Sequence, residues 1–151
     1  MNLDKYLVIA GFPGVHKLVA SRSNGLLIED KHEGRTRFVA ARQGQITPLA
    51  SIAVYTETEE GTIALADVFQ KMLDQFEQTP PPAASASSAE FRQYFTAILP
   101  EHDQDRVHIN DIKKCVKWFL FMRDKNIFAE AQKEAENAEI VEKPTETGTE
   151  A

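Results

Sequence analysis

The residues of this 151-residue chain that could carry chemistry are four histidines, one cysteine and a short acidic loop. His102 and His108 bracket Asp103 and Asp105 in "EHDQDRVHI", which superficially resembles a metal loop. Zinc sets need Cys or His at fixed short spacings, and a calcium loop needs the Asp-x-Asp-x-Asp-Gly pattern. Neither occurs, so these side chains read as solvated loop residues. His16 falls in a strand-like run and reads as structural or exposed. Cys115 lies among Ile112, Val116 and Phe119, where a buried thiol has a raised pKa and is a poor nucleophile. The serines lack a Gly-x-Ser-x-Gly elbow, and neither Gly-x-Gly-x-x-Gly nor a phosphate-cradling glycine loop is present. Catalysis needs a base, nucleophile or metal gathered in a pocket. No catalytic residue, metal or cofactor is expected, and the chain reads as non-enzymatic.

Binding residues are better signalled. Lys17, Arg22, Lys31, Arg35, Arg37 and Arg42 exceed the acids between them by three charges. Lys113, Lys114 and Lys117 form a second basic patch beside Trp118. Lys17, Lys31, Arg35, Arg37, Lys113, Lys114 and Lys117 are therefore candidate nucleic-acid contacts, although charged residues on strand and helix faces are ordinarily just solvated. Net charge is −2 over residues 1–79, +1 over 80–126 and −5 over 127–151. The near-neutral body lacks the concentrated cationic surface of a high-affinity polyanion binder, so any nucleic-acid binding is expected to be weak. The acidic tail carries charge opposite to both patches and is a candidate competitor for them.

These residues need elements to hold them. At 42% hydrophobic and 26% charged, the composition suits a globular protein. The longest apolar runs, Tyr6–Ala10 and Trp118–Met122, are five residues each, far short of the roughly 20 residues a membrane span needs. The start "MNLDKYLVIAGFPG" lacks the basic region of a signal peptide, and a single cysteine rules out an internal disulfide. A cytoplasmic setting without a membrane partner is expected.

"TPPPAASASS" divides the chain as a linker over residues 79–88. Residues 1–78 read as short strands ("YLVIA", "VHKLVASR", "GLLIED", "RTRFVAA", "IAVYTE") with Asn24-Gly25 as a hairpin turn. An SH3-like antiparallel barrel or meander is the expected form. Leu65, Val68, Phe69, Met72, Leu73 and Phe76 repeat at helical spacing, predicting a helix over about 63–77, capped by Thr62, that packs on the sheet. Residues 89–128 read as a helical hairpin. Ser87 and Glu90 fit a capping box, and Phe91, Tyr94, Phe95, Ile98 and Leu99 form a stripe before Pro100. Asn110 or Asp111 should cap the second helix. There Ile112, Cys115, Val116, Phe119, Leu120 and Met122 span an arc of roughly 160° at 100° per residue. Phe121 falls on the polar side and Trp118 at the edge, which makes both candidate contacts for the N-terminal strands or another chain. Residues 129–151, acidic and nearly devoid of bulky apolar groups, read as a disordered tail.

The strings "YLVIAGFPGVHKLVASRSNGLLIED", "IAVYTETEEGTIALADVF" and "LPEHDQDRVHINDIKKCVKWF" resemble an uncharacterised two-domain family of Bacteroidetes-type bacteria over about residues 3–127. The most specific part is Asp105, Arg106, Val107, Asp111, Ile112, Lys113, Lys114 and Trp118. The resemblance implies a β-rich N-terminal domain, a linker, a helical domain and a low-complexity tail, without any activity, cofactor or site residue. The reading is thus an α+β protein that binds or regulates through protein–protein contacts. Weak nucleic-acid binding, or an enzyme with a site assembled across both modules, are the alternatives.

Overall fold

The computed structural model describes residues 1–31, 33–42 and 44–133. Strands β1 (Tyr6–Ile9), β2 (Phe12–Arg22), β3 (Gly25–Asp30), β4 (Arg35–Ala40) and β5 (Ile46–Pro48) form one antiparallel sheet in the order β4-β3-β2-β1-β5. A 3-10 turn (Leu49–Ser51) leads to a two-stranded ribbon, β6 (Ala53–Tyr55) with β7 (Thr62–Ala64). Helices α1 (Leu65–Asp74), α2 (Ser88–Ile98) and α3 (Ile109–Asp124) follow, and residues 127–133 form a last helix, α4. Among the described residues no helix is long and apolar enough to cross a membrane.

The α+β class and the antiparallel sheet match the sequence reading, but the sheet does not close into a barrel. Among the described residues its two edges, β4 and β5, have no hydrogen-bonded partner strand beyond β3 and β1. Apolar side chains nevertheless fill both faces. Leu7, Ile9, Ile28 and Val39 form a small buried cluster that contains no helix residue, so the sheet's own curvature encloses it. The opposite face contributes Tyr6 and Val15 to the main core, together with Phe69, Phe95, Phe119 and Ala131 from the four helices. The helices on either side of the 79–88 segment therefore share one core with the strands.

Several local expectations change. The β2–β3 hairpin forms, yet neither Asn24 nor Gly25 takes a positive φ, so the type I′ turn is absent. Arg22 pairs with Gly25, leaving Ser23 and Asn24 as the loop. Gly25 is needed because a Cβ there would run into the Val39 carbonyl on β4. The helix expected from about 63 starts at Leu65, and Thr62 pairs with Tyr55 instead of capping it. Ladder bonding to β6 outweighs the cap. Ser87 does cap α2, accepting from the Glu90 amide at 3.2 Å. His108, not Asn110 or Asp111, is the N-cap of α3, and the Asp111 carboxylate reaches back to accept from the His108 amide at 3.1 Å. Of the tail expected over 129–151, residues 129–133 are helical in α4, which buries Ala131. Residues 134–151 lie outside the described residues.

The α3 arc meets several partners. Phe119 is fully buried, with ring centroids 6.2 Å from Phe69 on α1, 6.2 Å from Phe76 just beyond it and 5.3 Å from Phe128 on α4. Phe95 on α2 is buried in the same core. Leu120, counted into the arc from the wheel, is 37% exposed, because the face that α1, α2 and α4 cover is narrower than 160°.

Candidate functional site

The aromatic end of α3 decides where an open surface lies. Phe121, placed on the polar side by the wheel, lies half-buried over Gly14. Gly14 has φ +83°, and a Cβ there would sit 2.6 Å from the ring. The "GFPG" segment thus does more than turn. Ala10 and Gly11 make the β1–β2 connection, and Gly14 lets an aromatic side chain rest against backbone.

Beside this contact a groove of about 570 Å³ opens between the β1–β2 hairpin and α3. Val8, Phe12 and Pro13 line one wall, Thr47 and Ile52 extend it, and Trp118 and Phe121 face them with Lys114 and Lys117 at the rim. A second cleft of about 280 Å³ shares Ile52, Lys114 and Trp118 with the first and continues to Tyr55, Arg106 and Asp111. Trp118, half-buried, is the wall common to both. Together the two clefts fall in the size range of ligand and peptide sites, and most of the residues lining them are apolar. Of the two candidate contact residues, Phe121 therefore meets the β1–β2 hairpin, and both Trp118 and Phe121 line this open groove.

Sequence reasoning missed the opposing wall. Val8 and Thr47 look like ordinary strand residues that only pairing across β1 and β5 sets side by side, and Ile52 reaches the groove from the end of the turn that follows β5. Gly14 lies in the stretch of β2 whose register against β1 shifts, and its need for a positive φ is the one local signal.

The basic candidates do not form one surface. Register puts Tyr6, Lys17 and Glu29 side by side on the helix-facing side, whereas His16, Asp30 and Arg35 align on the other. Lys17 and Lys31 converge on Glu130 of α4, at 3.3 and 3.0 Å, and the Tyr6 hydroxyl donates to the same carboxylate at 3.1 Å. Burial alone would raise the Glu130 carboxyl. Hydrogen bonds from Lys31 and Tyr6, and the ammonium charges of Lys31 and Lys17, outweigh it and hold the group below its ordinary range. Burial likewise disfavours the Lys31 ammonium, but Glu29 and Glu130 outweigh it and raise the pKa. Arg35 pairs with Glu33 at 2.8 Å. Arg37 reaches Asp30 at 3.4 Å and lies 4.9 Å from the centre of the Phe12 ring. Lys113 lies 5.8 Å from the centre of the Phe91 ring. No ion pair joins Lys113, Lys114 or Lys117 to a described carboxylate, and Lys114 and Lys117 also lack a ring contact among the described residues.

The groups read for chemistry are dispersed. His102 is buried and spends both ring nitrogens: Nδ1 is 2.7 Å from the Leu99 carbonyl and Nε2 is 3.2 Å from Nη1 of Arg92. A guanidinium can only donate, so Nε2 accepts and Nδ1–H donates. His108, at the α3 N-cap, is exposed. His16 is buried, its Nδ1 3.6 Å from the Asp30 carboxylate directly opposite on β3; a lone strand histidine gave no hint of that pairing. Burial pushes the Cys115 thiol up to about 12 and raises the Tyr94 hydroxyl too, through burial first and Cys115 second. Among the described residues no three His, Cys, Asp or Glu side chains converge as a metal set would.

Comparison with known proteins agrees with this architecture. Residues 52–122, from the groove residue Ile52 through α3, match a domain of unknown function, DUF6852. The chain is similar to a Bacteroides vulgatus protein whose solution NMR structure was solved by the Northeast Structural Genomics Consortium. The two share 32% identity and a TM-score of 0.65 over 83% of this chain and 88% of that one. No curated protein matches. At that identity and coverage, and with a domain of unknown function over residues 52–122, this chain belongs to an uncharacterised Bacteroidetes-type protein family.

Proposed function

We propose that this protein is a non-enzymatic binding module, and that the groove between the β1–β2 hairpin and α3 is where a partner protein sits. One observation carries this reading: an aromatic pair, Trp118 and Phe121, both half-buried, lines a largely apolar groove open to solvent. Partly exposed aromatic side chains set in a pocket are the usual energetic anchors of protein interfaces. The cationic residues favour nucleic acid less, because Lys17, Lys31, Arg35 and Arg37 are already paired with carboxylates and lie on opposite faces of the sheet.

A photo-crosslinking residue at position 117 tests this in the native cell, with position 35 on the far sheet edge as control. A discrete protein adduct from 117 and none from 35 is expected. Adducts from 35 alone, or adducts that disappear on nuclease treatment, would rule the reading out.

A further inference from the structure

We infer that the groove selects a partner peptide whose bulky apolar anchor is flanked by carboxylates; this rests on the groove being the partner seat. The argument is charge complementarity. Lys17, Lys31, Arg35 and Arg37, on or beside the strands, already have acidic neighbours. Lys114 and Lys117 are exposed, have no ion pair to a described carboxylate and stand on successive turns of α3 at the groove rim. Between and beside them lie the apolar surfaces of Trp118, Val8 and Phe12. An apolar side chain seated against Trp118 therefore brings its neighbours under two unspent ammonium groups. Lys114 also borders the smaller cleft, so the cationic rim serves both halves of the groove. Asp111 is the one carboxylate lining either cleft, and it is already engaged by the His108 amide.

Trp118 is the only tryptophan in the chain and reports directly on the site. The full chain is titrated, with Trp118 fluorescence as readout, using three synthetic peptides that carry the same Ile-Val core flanked by Glu, Gln or Lys. Binding in the order Glu, Gln, Lys is expected, with a preference of about three- to tenfold for Glu over Gln that shrinks with salt. The order should reverse in the double variant Lys114→Glu/Lys117→Glu, whose solvent-facing substitutions leave the core untouched. Equal binding of all three peptides would overturn the charge selection while leaving the groove as the seat. Failure of even the Gln peptide to bind would remove the seat as well. Residues 139–142 of this chain read Glu-Ile-Val-Glu, the same pattern. If Ile140→Ser/Val141→Ser in the full chain shifts Trp118 emission and tightens peptide binding, the occupant is this chain's own segment, and the partner assignment falls. Concentration-dependent Trp118 emission without peptide would assign the groove to a second copy, with the same consequence.

Discussion

Replacing Gly14 by alanine should destabilise the protein through two separable effects. Its φ of +83° is a conformation that an L-residue adopts at a cost of about 1–2 kcal/mol. The added Cβ would also lie 2.6 Å from the Phe121 ring, which must swing away from its seat. An off-rotamer side chain with part of its packing lost adds about 1–2 kcal/mol. Gly14→Ala should therefore cost about 2–4 kcal/mol in urea unfolding at unchanged m-value. Phe121→Ala removes the ring but not the backbone strain, so in that background Gly14→Ala should cost only about 1–2 kcal/mol. The coupling between the two sites is then about 1–2 kcal/mol, well above the error of a double-mutant cycle. Strict additivity would refute the contact between α3 and the hairpin, and with it the wall that defines the groove.

Other outcomes follow from the side chains around the core. Glu130→Gln should cost about 1–2 kcal/mol at neutral pH, discounted because the carboxylate is partly solvated. Its folded pKa is lowered, so its contribution is complete above the ordinary value near 4.5 and fades as pH falls through the lowered value. The wild-type and Glu130→Gln unfolding midpoints should therefore converge on acidification, and a constant gap down to pH 2 would contradict the ion cluster. Cys115, 4% exposed with its thiol pushed up to about 12, should resist a thiol reagent at pH 8 until denaturant unfolds the protein; stoichiometric labelling of the native state would contradict its burial. His102→Leu removes the imidazole's bonds to the Arg92 guanidinium and to the Leu99 carbonyl, which keeps the His102 amide as donor, and thermal unfolding should show a loss of about 1–2 kcal/mol; a neutral result would contradict the bonds.

The sequence made some of this legible and not the rest, for physical reasons. Helical periodicity and the Ser87 cap located α2 and α3, because those signals are local. Strand alternation located β1 to β4 but could not say whether the sheet closes, since closure depends on edge pairing across the whole sheet. Thr62 misled because a β ribbon and a helix cap compete for the same residue, and the choice is made by Tyr55 across the ribbon. The wheel gave Leu120 to the core and Phe121 to solvent; the neighbours on each side of α3 reversed both. Lys17 and Lys31 read as open cations because their partner, Glu130, lies 113 and 99 residues away. Of the groove, Trp118 and Phe121 were readable as apolar residues that one helix face could not absorb, whereas Val8 and Thr47 depended on register and Ile52 on the turn after β5.

Amide chemical-shift mapping of the full-length, isotope-labelled protein titrated with the neutral Gln-flanked Ile-Val peptide would test the groove most directly. Saturable shifts are predicted at residues 8–14, at Thr47 and Ile52, and along residues 114–121, with β3 and β4 silent. Shifts centred on β4, or spread evenly over the sheet, would show that the surface beside Trp118 is not the seat.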